Sequence, residues 1–152
     1  MMKNSMLSAA RFLIICLTVI VQASLSSAFA EDTRQPALRS AAERDFILEQ
    51  MRLFLGSIQT ILSASAEADM KTIAAEAAAR GRKGTPVSSI PPTMKAKETA
   101  GWTSLMGDVR SGFDSVADAA ASGATPQDIT RRVGDVMRNC VACHQSYRIV
   151  QE

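Results

Sequence analysis

The sequence predicts an all-α fold, an antiparallel four-helix bundle. Apolar residues recur at spacings of three and four through four separate stretches, and none alternates apolar and polar residues as a half-buried strand does. Turn signals sit tightly between the first and second stretches and between the third and fourth, as antiparallel neighbours require.

The first 30 residues stand apart from that pattern. Lys3 and Arg11 form a positive start, Phe12 to Val21 is an apolar run broken only by Thr18, and Ala28-Phe29-Ala30 offers an A-x-A cleavage site. This reads as a secretory signal peptide, 1–30, which leaves 31–152 as one domain. The apolar run is shorter than the ~20 residues of a membrane span, which disfavours an uncleaved anchor. Ile15 is too bulky for a lipidation site at Cys16. Without Lys3 and Arg11, the 17 basic residues fall to 15, against 15 acidic ones. The expected mature chain is therefore close to neutral and has no basic excess for nucleic acid.

Residues 31–39 read as a flexible lead-in. The first helix is expected from about Ser40 to Ser63. Leu48, Met51, Leu55, Ile58 and Leu62 form its stripe, widened by Ile47, Phe54 and Ile61. Asp69 is suited to cap a second helix through about Arg80, with Gly81 ending it. The glycines and prolines between Gly81 and Pro92 exclude a continuous helix there. A third helix is expected from about Thr93 to Ala121, carrying Trp102, Leu105, Met106, Val109, Phe113 and Val116, with Gly123 ending it. Thr125-Pro126-Gln127-Asp128 combines a cap, a first-turn proline and a capping-box acid, and starts the fourth helix. That helix carries Ile129, Val133, Val136, Met137, Cys140 and Cys143 on one side, with His144 beside them.

Cys140-Val141-Ala142-Cys143-His144 is a C-x-x-C-H run, the attachment signature of a c-type haem. Each thiol adds to one vinyl group and the histidine supplies an imidazole to the iron. On a helix, positions three and four apart project from one face. His144 is the only histidine, and Cys16 falls within the expected signal. The other readings are a redox C-x-x-C or a chance match. A thioredoxin-like site needs a βαβ context, and a zinc site needs more ligands than remain. One covalent haem c is therefore expected, and its attachment outside the cytoplasm agrees with a signal that directs the chain to the periplasm.

The run from Cys140 to Arg148, CVACHQSYR, resembles the C-terminal signature of the class II cytochromes c, the cytochrome c′ family. That signature is C-x-x-C-H-x-x-aromatic-basic, here with Tyr147 and Arg148. The resemblance implies a four-helix bundle with the haem on its last helix, often dimeric through its first two helices. It also implies that Arg148 lies beside the proximal imidazole. Some members leave the sixth position of the iron open against an apolar pocket and bind NO or CO. Others fill it with a methionine of the first helix and transfer electrons. Met51-Arg52 resembles the methionine-basic pair of that second group, although Ile47 stands where an arginine is often found.

Without a second histidine, bis-histidine ligation is impossible. The candidates are Met51, Met70, Met94, Met106 and Met137. Met51, midway along the first stripe, is the expected distal ligand; its other reading is core filler. Met137, on the histidine's own helix, is read as packing. Arg148 follows His144 by four residues and is expected one turn further along the same face, where it either tunes the iron or complements the helix end. Arg80, Arg82, Lys83, Lys95 and Lys97 are either a solvated loop or a docking patch for an acidic redox partner. The functional expectation is an electron carrier; the alternative is a five-coordinate gas binder. The partners are redox proteins or small gases, and no catalytic pair suggests an enzyme.

Overall fold

The computed structural model describes residues 31–84 and 90–152. The expected signal peptide 1–30, with Cys16, lies outside the described residues, as does 85–89 of the second connection. Among the described residues no helix is long and apolar enough to cross a membrane.

The chain is mostly helical. Among the described residues four α-helices follow in order: α1 (Ala41–Ala66), α2 (Met70–Arg80), α3 (Ala100–Ala121) and α4 (Pro126–Ser146). Strand β1 (Gln35–Arg39) precedes them and β2 (Tyr147–Gln151) follows, paired in parallel with Ala37 opposite Ile149.

Local chemistry explains most helix ends. The Ser40 hydroxyl accepts the Glu43 N–H and the Glu43 carboxylate accepts the Ser40 N–H, a complete capping box for α1. Ala68, at φ 55°, makes the turn out of α1, and Asp69 caps α2 by accepting from Thr72. Gly123, at φ 77°, closes α3 as expected. The Thr125 hydroxyl accepts the Asp128 N–H, with Pro126 in the first turn of α4.

Three expectations need correction. The lead-in is not a loose segment, because 35–39 forms β1. Ala37 and Arg39 turn inward and Leu38 turns out, 52% exposed, so the strand reverses the usual polarity. The third helix starts at Ala100, not Thr93. Thr99 caps it by accepting the Trp102 N–H, while Thr93 donates to Glu43 and Lys95–Lys97 form a single 3-10 turn. The last helix stops at Ser146, and the following residues extend to pair with β1.

The main core lies among the helices. Phe54 and Phe113 stack at 5.6 Å, surrounded by Ile61, Ile73, Val116, Ile129 and Val136. A second cluster of Ala37, Ile47, Met94 and Trp102 lies against Tyr147 and Ile149 of the strand pair. Met51 packs against both clusters. The buried face of α1 is Ile47, Phe54, Ile58 and Ile61, whereas Leu55 and Leu62 of the expected stripe are exposed. Gly112 lets α3 approach α4 closely, since a Cβ there would lie 2.6 Å from Val136 Cγ2.

Glu43, 1% exposed, ties the N-terminal region together. It accepts from Thr93 at 2.6 Å and from Lys97 at 2.9 Å, and these bonds with the Ser40 N–H hold its carboxyl at about 2, against an ordinary 4.5. Lys97 also reaches Glu152, so one ammonium bridges two carboxylates, which raises its own pKa.

Candidate functional site

Helix α4 builds the site through its period. Ile129, Val133 and Val136 point into the core, and Cys140 continues that row four residues on, half-buried against the same cluster. Cys143 is half-buried and His144 is exposed. The three sequence-predicted attachment residues therefore share one side of the last two turns. Cys140 and Cys143 are free thiols. Burial pushes both thiols up, and the neighbouring Cys140 adds to the shift at Cys143. A reactive redox C-x-x-C shows the opposite shift, a lowered thiol pKa.

Two cavities flank these residues. The first, of about 390 Å³, lies between α1 and α4. Met51, Phe54, Leu55 and Ile58 face Met137, Cys140, Val141 and His144 across it. Its walls are almost wholly apolar, and Leu55, Met137 and Val141 are 68%, 44% and 53% exposed around it. The second cavity, of about 250 Å³, holds Cys143 and His144 with Ile47, Leu48, Met51, Trp102 and the start of β2. Met51 and His144 line both.

The sequence-predicted residues are thus brought together, with Arg148 arriving by a different route. It is not one helical turn beyond His144 but on β2. It lines the second cavity, and its Nε donates to the Arg34 carbonyl at 3.3 Å. Arg34 in turn donates from Nη1 to the His144 carbonyl at 3.1 Å. The strand pair thereby fastens the end of α4 to the lead-in. Tyr147 packs edge-on against Trp102 at 5.3 Å, and its hydroxyl lies 3.1 Å from Thr99 Oγ1.

Of the other methionines, Met94 is buried under the strand pair, and Met70 and Met106 pack against the core. Met51 is the methionine that faces His144 from another helix, among the described residues. The basic residues near the second connection do not all face solvent as a patch. Lys97 is held by Glu43 and Glu152, and the Arg82 side chain donates to Ser111 while its backbone N–H reaches Asp114.

Sequence reasoning missed Arg34. No local pattern marks it, because its approach to His144 depends on the pairing of β1 with β2. Among the described residues no group of three or more His, Cys, Asp or Glu side chains is gathered as for a metal ion. The soft and nitrogen donors lining the two cavities are the Cys140 and Cys143 thiols, the His144 imidazole and the Met51 and Met137 thioethers, types of donor that a c-type haem uses. Comparison with protein-family models, curated proteins and solved structures found no match to this chain.

Proposed function

We propose that the chain is a periplasmic c-type cytochrome of the class II, cytochrome c′-like kind, whose work is electron transfer. In this reading the helices form an antiparallel bundle. Cys140 and Cys143 hold one haem through thioethers, His144 is the proximal ligand and Met51 the distal one. The observation that carries it is the sharing of both cavities by Met51 and His144 from facing helices.

The residues suit the group. Haem is flat and largely apolar, and the exposed Leu55, Met137 and Val141 would lose their water contact beneath it. Once bound, haem supplies a one-electron ferric–ferrous couple whose potential a thioether ligand raises. The chain's part is to hold and shield. Phe54 and Ile58 wall the Met51 side without a polar group. Arg34 holds the carbonyl of His144 and so fixes the last turn of α4. Arg148 places a positive charge near His144, where it disfavours the more oxidised centre.

The test is the absorption spectrum of holoprotein produced alongside a haem-attachment machinery, ferric and ferrous, with and without CO. The expected spectrum is low-spin and unaffected by CO, and Met51→Ala turns it high-spin and CO-binding. A high-spin wild type that binds CO readily overturns Met51 ligation. It makes the protein a gas binder with Met51 as a wall residue.

A further inference from the structure

A third cavity, away from the cysteines, holds two buried donors without acceptors. Arg39 is 2% exposed because β1 turns it inward. Its Nη1 donates to the Leu38 carbonyl at 2.8 Å, its Cζ lies 5.0 Å from the centre of the Trp102 ring, and its Nε has no partner. No carboxylate among the described residues forms an ion pair with it. Trp102 is 5% exposed, and its Nε1–H is likewise without a partner. Arg39 and Trp102 line one cavity of about 230 Å³ between β1, β2 and the start of α3, with Lys97, Thr99 and Tyr147.

We propose that this cavity is a binding site for a small oxyanion, an inorganic oxyanion or a small carboxylate. A buried guanidinium is stable only when its charge is matched and its N–H groups are accepted. Water can accept from both donors but leaves the charge unmatched. An oxyanion does both, and guanidinium geometry suits two oxygens at once. Glu152 is the one carboxylate on the wall, and Lys97 holds it at 2.9 Å. Lys97 also holds Glu43, whose carboxylate accepts from Thr93 and Ser40 as well. Both neighbouring carboxylates are thus taken by Lys97, and Arg39 is the wall cation left without one among the described residues. The site stands on these observations alone and does not depend on the haem reading.

Trp102 is the only tryptophan, so the protein has a single indole N–H resonance. The purified mature chain is titrated with inorganic phosphate under reducing conditions at constant ionic strength, following that resonance by NMR. A saturable shift that chloride does not reproduce is expected. Arg39→Lys, which keeps the charge and loses the planar fork, weakens phosphate binding about tenfold, a difference of about 1.4 kcal/mol. Glu152→Gln, at the exposed rim, tightens it severalfold and keeps the test open should Arg39→Lys fail to fold. The absence of a saturable shift, or an unchanged affinity in Glu152→Gln, overturns the proposal.

Discussion

Helix α4, which carries Cys140 and Cys143, meets α3 at a close contact that a double-mutant cycle measures. Gly112 of α3 faces Val136 of α4, where an added Cβ would lie 2.6 Å from Val136 Cγ2. Val136 is 1% exposed and sits one turn before Cys140, so it has no room to yield outward. Gly112→Ala therefore overpacks the interface and costs about 1–3 kcal/mol. Val136→Ala removes two buried methyl groups and leaves a small cavity, for about 2 kcal/mol. In the double variant the new methyl at 112 occupies space that Val136 vacated. Its loss should fall below the sum of the singles by about 1–2 kcal/mol. Urea unfolding followed by far-ultraviolet circular dichroism gives each value, provided the slope of stability against denaturant is unchanged. Additivity within about 0.5 kcal/mol would show that α3 and α4 do not meet at this pair, and would refute the reasoning.

Acid sensitivity should trace to Glu43. Because its carboxyl is held at about 2 in the folded chain, its contribution is complete above 4.5 and is lost as pH falls towards 2. Glu43→Gln should flatten that part of the curve of urea midpoint against pH, and an unchanged acid slope would contradict it. Ala68, exposed at φ 55°, is strained by its Cβ. Ala68→Gly should therefore raise stability by up to about 1 kcal/mol, set against the freer unfolded chain, and a clear loss would deny the left-handed turn. Thr99→Ala should cost about 1 kcal/mol by uncapping α3. An effect near zero would mean that α3 begins elsewhere.

The helices were legible where local chemistry decides them. Asp69, Gly81, Gly123 and the Thr125-Pro126 pair all act within one turn, and each marks a helix end in the structure. The strands were not legible, because their hydrogen-bond partners lie more than 100 residues away and their polarity is inverted. Leu38 faces out while Arg39 is buried, the reverse of the pattern that announces a strand. The same pairing ended α4 early and carried Arg148 to the His144 cavity from β2, where a helical extrapolation had placed it one turn on. The start of the third helix was misplaced because Thr93 and Thr99 look alike in sequence, and only packing commits Thr93 to Glu43. Leu55 belonged to the correct helix but not to its core side. It borders the groove beside Cys140, a distinction that a stripe of apolar residues cannot make. Cys140, Cys143 and His144 were legible because they are contiguous. Arg34 was not, since only folding brings it to the His144 carbonyl.

The intact mass of the mature chain, produced alongside a haem-attachment machinery and then denatured, tests the central claim most directly. The account predicts the chain plus one haem that survives denaturation, with loss of that stable adduct in the Cys140→Ala, Cys143→Ala double variant. A bare chain, with free thiols or with Cys140 and Cys143 joined as a disulfide, would contradict it.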